Sequence, residues 1–495
     1  MKFTRAAVLL ATAISLSACT SPPVAPETSG TAAVPAGLES FYGQRLDWTD
    51  CGDGQCASLE VPIDYDDPDG ESTELAVYRH QGKSERFGSL VVNPGGPGAS
   101  GITYAKQLVT AAPALLSGYD IVGFDPRGIG ASDALSCVDG PGMDAYLSVD
   151  TTPDDQGEIE ALDRANRDFS AGCQDDDPSL LENMSTPDSA RDLDILRDAL
   201  GDRALNFLGS SYGSVMGVSY LEQFGDNAGR IVLNGAIDPK MTGDDVAAGQ
   251  ARGFDRAAAN YAAHCAKDDD CPLGTDPDKG VEKLAAIIEK LDSEPIRTSN
   301  GTGLLNDSWA TYGTAQALYS RQMWPNLTDA LHEIEEGRGE TMMRLATMYA
   351  GRSENGTYST NVLQVINAVS CLDRGPDGDI SHVETFAADL AAESPLFGRF
   401  TAWSRLVCNS WPVEPVWEAG PAKVSAEVPV LVVGTTGDPA TPLEWSQSLA
   451  QQLPGGILVT RNGEGHTGYR MGNRCVDAAV DDFLLRGETP KDVSC

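Results

Sequence analysis

Leu205-Asn206-Phe207-Leu208-Gly209-Ser210-Ser211-Tyr212-Gly213-Ser214-Val215-Met216-Gly217-Val218 carries more information about this 495-residue chain than any other stretch of its length. Leu205 to Leu208 is a short apolar run of the kind that forms a buried parallel strand. Ser214 to Phe224 predicts a helix with Val215, Val218, Leu221 and Phe224 along one side. Between them stands Gly-Ser-Ser-Tyr-Gly. In a chain with 52 glycines a bare G-x-S-x-G is a weak signal. Set between a strand and a helix it becomes specific, because that junction is the sharp turn that lifts a serine hydroxyl above the end of a sheet. The glycines are needed because the serine backbone is strained and neighbouring chains pass close. The bland alternative, a tight Gly/Ser turn, accounts for none of the chemistry that follows downstream.

Working outward, Ser89 to Val92, Asp120 to Phe124 and Arg230 to Leu233 are further short apolar runs. Ala57 to Tyr65 and Thr73 to Gln81 alternate as a hairpin would, turned at Asp66 to Gly70. A helix is predicted from Thr186, as N-cap, with Pro187 at its first position, ending at Gly201. This rhythm predicts an α/β fold, a mostly parallel sheet covered on both faces. Between about Lys240 and Arg399 the rhythm breaks, and helical patterns dominate, as in Val246 to His264, Gly280 to Leu291 and Thr314 to Gly337. Sheet character returns at Val428 to Val433 and Ile457 to Val459, before a terminal helix from Cys475 to Leu485. A helical insertion in such a sheet is expected to act as a lid. The predicted organisation is therefore core over 38–239, helical lid over 240–400, and the rest of the core over 401–495.

A serine hydroxyl is a poor nucleophile near neutral pH and needs a base to take its proton. Val430 to Val433 leads into Gly434-Thr435-Thr436-Gly437-Asp438-Pro439, which puts Asp438 just past the carboxyl end of a strand, where functional groups gather in open α/β sheets. Ile457 to Val459 leads into Gly463-Glu464-Gly465-His466-Thr467-Gly468. Ser211, Asp438 and His466 thus follow the chain order of a serine nucleophile, its acid and its base. The developing oxyanion needs backbone N–H donors. Tyr212, next after the nucleophile, supplies one, and the loop Asn93-Pro94-Gly95-Gly96-Pro97-Gly98 the other, with Gly96 the first choice and Gly95 the second. That loop does not read as a phosphate cradle, since the Walker lysine is missing and prolines remove donors. The loop from Gly123 to Ser132 reads as structural, braced by Asp125 and Arg127.

Formal net charge is −38, with 73 Asp and Glu against 35 Lys and Arg, which argues against a nucleic-acid partner. Residues 1–18 read as a signal peptide, with Lys2 and Arg5 before an apolar stretch, Ala6 to Leu16, too short to span a bilayer. Leu16-Ser17-Ala18-Cys19 resembles a bacterial lipobox, which implies lipidation of Cys19 and a membrane anchor. An ordinary signal cut after Ala18 would leave a free exported protein. Residues 19–37, rich in Pro, Ala, Ser and Thr, predict an extended tether. Setting Cys19 aside, ten cysteines remain, an even number that reads as disulfides in an oxidising compartment. Pairing neighbours in order gives five bridges, though sequence does not fix connectivity. No CxxC pair, no HExxH and only five histidines occur, so neither metal nor cofactor is expected.

The segments NPGGPG (93–98), GFDPRGIGASD (123–133), GSSYG (209–213), VGTTGDPATP (433–442) and GEGHTG (463–468), in this order, resemble the exported tripeptidyl-aminopeptidase branch of the proline-iminopeptidase-like α/β-hydrolases. The resemblance runs from about Phe41 to the end. It departs in places: Ser214 stands where Thr is frequent, and Asn234 where Asp is common, which questions that position as a ligand for a substrate amine. The resemblance implies the α/β-hydrolase fold and an exopeptidase that releases short N-terminal pieces, often tripeptides, from peptides with free amino termini, and that cleaves simple esters too. Such an enzyme needs a carboxylate for the amino terminus, and Asp373, beside Cys371 and its expected partner Cys408, is the candidate. Two rival readings remain: a carboxylesterase or lipase using the same three residues, and a non-catalytic lipoprotein, which would have no need of them.

Overall fold

The computed structural model describes residues 34–83 and 86–495. The signal segment 1–18, Cys19 and most of the 19–37 tether lie outside the described residues. In chain order the strands are β1 (Thr49–Asp50), β2 (Gln55–Pro62), β3 (Ser72–His80), β4 (Gly88–Asn93), β5 (Tyr119–Phe124), β6 (Leu205–Ser210), β7 (Ala228–Asn234), β8 (Ile296–Arg297), β9 (Leu304–Leu305), β10 (Val430–Gly437), β11 (Gly456–Glu464) and β12 (Val493–Ser494). All but β8 and β9 join one sheet in the order β1-β2-β3-β5-β4-β6-β7-β10-β11-β12. The hairpin β2–β3 is antiparallel and pairs antiparallel with β5; from β5 to β12 every pairing is parallel.

The central strands are buried along their length because both faces are covered, and their side chains still alternate. Leu90 and Val92 of β4, Leu208 of β6, Val232 of β7 and Leu431 and Val433 of β10 pack with helices Gly101–Ala111 and Arg474–Arg486. Val91, Phe207, Ile231, Leu233, Val430 and Val432 point the other way, into a larger core shared with helices Thr186–Ala199 and Gly213–Phe224 and the inserted helices. The Gly123 to Ser132 loop is braced as expected. Asp125 accepts hydrogen bonds from Ser100 Oγ and Ala131 N, and fully buried Arg127 pairs with both oxygens of Asp192 while its other N–H groups reach the carbonyls of Pro62, Ile63 and Asn183.

Three local expectations need correction. The helix expected from Thr186 is capped one residue earlier, where Ser185 Oγ accepts from Asp188 N, and it ends at Ala199. The single helix expected over Thr314 to Gly337 is two, Asp307–Leu318 and Trp324–Glu335, because Pro325 has no N–H to continue a helix and belongs in a first turn. The boundary expected at 400 falls inside a helix, Gly398–Trp403, and helical structure continues to Ser410 before an extended stretch leads to β10. The small antiparallel pair β8–β9 also interrupts the otherwise helical insertion.

The cysteines pair as neighbours: Cys51–Cys56, Cys137–Cys173, Cys265–Cys271, Cys371–Cys408 and Cys475–Cys495. Among the described residues no helix is long and apolar enough to cross a membrane.

Candidate active site

Ser211 stands between β6 and helix Gly213–Phe224 with φ +55°, a left-handed conformation that a non-glycine residue adopts only when its surroundings impose it. The imposing contacts are on both sides. Ser211 N donates to Asn234 O at 2.9 Å, and Ser211 O accepts from Ser214 N at 2.9 Å and Ser214 Oγ at 2.6 Å. Any Cβ at Gly209 would lie 2.2 Å from Gly213 O, so the turn closes only without a side chain there.

Asp438, wholly buried just past β10, has its carboxylate ringed by donors. Ala440 N, Thr441 N and Thr467 N reach it at 3.0, 2.9 and 2.8 Å, and Thr441 Oγ1 at 3.0 Å. His466 Nδ1 completes the set at 2.9 and 3.0 Å from the two carboxylate oxygens. With Nδ1 donating to Asp438, Nε2 is the nitrogen left with a lone pair. The imidazole is further fixed by His466 N donating to Tyr319 O at 3.0 Å and by the edge of the Tyr319 ring, 5.5 Å away. Tyr319 follows the last residue of helix Asp307–Leu318, so the break in the predicted long helix is what frees its carbonyl for His466.

The expected trio therefore gathers at the carboxyl ends of β6, β10 and β11. The Asp438–His466 half is hydrogen-bonded. Ser211 and His466 are not in hydrogen-bond contact, and what joins them is Asn234 at the end of β7. Its carbonyl takes Ser211 N, its Nδ2 donates to Ser210 Oγ at 3.0 Å, and its Oδ1 takes Gly468 N and Tyr469 N at 2.9 and 3.0 Å. Hydrogen bonds between catalytic groups are often long without substrate and tighten when it binds. In the sequence Asn234 reads only as a position for an amine ligand, and nothing singles out Thr441, whose hydroxyl also lies 3.3 Å from His466 Nδ1. The one available clue to both was position, at or just past a strand's carboxyl end.

The loop after β4 lies against the serine turn: a Cβ at Gly95 would come within 2.8 Å of Tyr212 N and 2.9 Å of Ser211 Cβ. Gly95 N donates to Asn93 Oδ1 at 2.8 Å, which removes it as an oxyanion donor. Gly96 N and Tyr212 N have no acceptor among the described residues, leaving both free for a ligand oxygen.

Ser211 and Gly96 line a cavity of about 300 Å³ between the sheet and the inserted helices. Phe254, Tyr312, Tyr319, Tyr349, Phe397 and Phe400 give it an aromatic wall, and Gln250, Asn166 and Asn367 add polar groups. Asp373, expected to meet a substrate amine, is not on that wall. It is buried at 1 % exposure, and its oxygens accept from Thr186 N at 2.9 Å and Thr186 Oγ1 at 2.6 Å. Burial, opposed by Arg374 and the Thr186 bonds, pushes its carboxyl up to about 6. Its register in helix Val362–Arg374 turns it away from the cavity, which the neighbours Ser370, Cys371 and Arg374 face. Asp150, Glu158 and Asp292 bring carboxylate oxygens within 4.8 Å of one another, an acidic cluster whose members do not line the cavity although Thr151, next to Asp150, does.

The family described as TAP-like protein matches residues 394–495, the segment holding Asp438 and His466. Over 91% of its length, and 91% of the relative's, the chain is 38% identical to the serine protease Hip1 of Mycobacterium tuberculosis. It is equally similar, 38%, to the carboxylesterase B of Mycobacterium tuberculosis, covering 96% of this chain and 93% of the relative. The tripeptidyl aminopeptidase of Streptomyces lividans is 30% identical over 91% of this chain and 86% of its own. Sharing this much sequence along nearly all of its length, and with a parallel sheet interrupted by helices, the chain belongs to the tripeptidyl-aminopeptidase branch of the α/β-hydrolases and is a serine hydrolase.

Proposed function

We propose that this hydrolase is an exopeptidase that releases short N-terminal pieces, tripeptides foremost, from peptides with free amino termini. The observation that carries the reading is the cavity roofed by the inserted helices, with Ser211 in its wall. A volume of about 300 Å³ lies at the small end of ligand pockets and suits a few residues rather than a continuing chain. Among the described residues no carboxylate lines it, so the ammonium group would be met by ring faces such as those of Tyr312 and Tyr349 and by carbonyl oxygens.

In this reading Ser211 Oγ attacks the scissile carbonyl while His466 Nε2 takes its proton, and Asp438 steadies the resulting imidazolium. Gly96 N and Tyr212 N hold the oxyanion. His466 then protonates the leaving amine, and a water activated by the same nitrogen hydrolyses the acyl-enzyme. The chain is further proposed to be exported and anchored through lipid on Cys19; the sequence around Cys19 and five disulfides support that.

A second reading, a carboxylesterase, is favoured by the aromatic wall and by the equal similarity to carboxylesterase B. The deciding experiment compares a tripeptide anilide with its N-acetylated form. The exopeptidase is expected to cleave the free form faster by about tenfold or more, the effect of losing one charged contact. Equal turnover removes the exopeptidase and leaves the hydrolase. Labelling by a fluorophosphonate, present in the native protein and absent in Ser211→Ala, checks the nucleophile.

A further inference from the structure

Acidic residues outnumber basic ones two to one in this chain, yet among the described residues no Asp or Glu lines the cavity, and two arginines do, Arg374 and Arg405. They come from separate segments joined by a disulfide. Arg374 ends helix Val362–Arg374, Arg405 lies in the turn Ser404–Ser410, and Cys371–Cys408 ties the two together. Both guanidinium groups rest on one short piece of backbone. Arg374 Nε donates to Met241 O at 3.3 Å, and a Cβ at Gly243 would fall 2.3 Å from Arg405 Cζ. Gly243 begins the 23-residue helix Gly243–Cys265, whose N-terminal positive potential is offset by Asp244 and Asp245 of its first turn, the one engaged by His382 and the other by Thr242 N.

The two cations are poorly answered by the protein. Arg405 donates to Gly375 O and lies 3.4 Å from Asp377 Oδ2, but its buried Nε has no acceptor. Burial holds its proton less firmly than an ordinary arginine's, against the pull of Asp377 and Asp244, and the nearness of Arg374 adds a smaller push the same way as burial. Arg374 stacks over the Trp417 ring at 5.5 Å and forms no ion pair among the described residues. The adjacent Asp373 is occupied by Thr186. Ser370 and Ser404 line the same end of the cavity. A guanidinium is costly to bury with an N–H left unbonded, as in Arg405, or with no carboxylate in contact among the described residues, as in Arg374, and its planar fork of N–H donors can take a carboxylate through two bonds at once.

We propose that Arg374 and Arg405 form a subsite for a side-chain carboxylate of the substrate, so that the enzyme favours released pieces containing Glu or Asp. This selectivity rests on the exopeptidase reading for where in the piece the acidic residue sits, and not for the existence of the subsite.

The test is a set of tripeptide anilides with free amino termini in which Glu, Gln and Lys replace Ala at each position in turn. At one position Glu is expected to exceed Gln in kcat/KM by about tenfold, with Lys the poorest. In Arg374→Gln the Glu-to-Gln ratio should collapse toward unity, while Arg374→Lys should retain part of it. Equal rates for Glu and Gln at every position, or a ratio that survives Arg374→Gln, overturns the subsite. If the N-acetylated forms are cleaved as fast and the Glu preference persists, only the exopeptidase reading fails. Should no anilide be cleaved, the comparison moves to protection of Ser211 from a fluorophosphonate by Glu- and Gln-containing tripeptides, where equal protection is the overturning result.

Discussion

Asn234 holds both sides of the site, and the consequence of changing it follows from which of its atoms are engaged. Its Oδ1 takes two N–H groups of the loop that carries His466, and its Nδ2 donates to Ser210 Oγ, which also meets Tyr104 Oη at 3.0 Å. Asn234→Asp keeps both acceptor bonds, and Ser210 can reverse its role and donate. The variant should therefore stay active, but its new negative charge near the imidazolium should move the acid limb of the kcat/KM profile to higher pH. Asn234→Leu removes the ties, and kcat should fall by about 10- to 100-fold with KM little changed, as expected of a small misplacement of reacting groups. A purely structural residue would give neither the shift nor the split. Ser211, Asp438 and His466 were legible in the sequence because each sits at a turn whose glycines announce it, in an order only one chemistry requires. Asn234 was not, since its work is done by bonds to residues 24 and 234 positions away. The place of Asp373 is not legible for a related reason: a helix puts successive residues on different faces, and only packing decides which face meets the cavity.

At the scale of elements, the segments bordering the cavity are held by covalent ties and helix ends rather than by the sheet. Cys371 and Cys408 both line it, and their bridge spans 37 positions. Closing a loop of that size stabilises a fold by about 2–4 kcal/mol. Replacing both cysteines by Ser should lower the urea midpoint accordingly. Because the bridge joins the segments bearing Arg374 and Arg405, KM should rise more than kcat falls. An unchanged KM would mean that packing alone positions these segments. The elements themselves were readable where one period dominated, as in the strands and in helix Gly243–Cys265. The break after Leu318 was not read from the helical pattern, although Pro325 marked it, because apolar spacing continued across the gap. That break matters functionally, since the carbonyl it exposes at Tyr319 receives His466 N. The bridge pairing, left open by the sequence, is settled once the paired segments are folded side by side.

The whole molecule carries a formal charge of −38, and several of its carboxyls are buried against their own ionisation. Burial is the first cause in each case. It pushes Asp202, Asp255 and Asp373 up to about 6, and Asp150, with Asp307 also nearby, up to about 7. In the unfolded chain such groups titrate near pH 3.9. Between about pH 4 and pH 7 the native state therefore binds more protons than the unfolded one, and stability falls as pH rises through that window. Asp144, paired with Arg352, and Asp194, paired with Arg197, are shifted the other way, so their stabilisation is lost only below the window, as pH falls through their lowered values. Self-repulsion among the excess carboxylates has the same sign as the buried groups, growing as pH rises. Thermal unfolding at constant ionic strength should thus give a higher midpoint near pH 5 than at pH 7.5, and Asp373→Asn should shallow the slope between them. A midpoint that rises from pH 5 to pH 7.5 would mean that folding does not hold these carboxyls above the ordinary range, so that they are already ionised near pH 5. The charge of Asp373, close behind the cavity wall, would then offset Arg374 at pH 5 as well as at pH 7.5, and the preference for an acidic substrate would not strengthen as pH falls from 7.5 to 5.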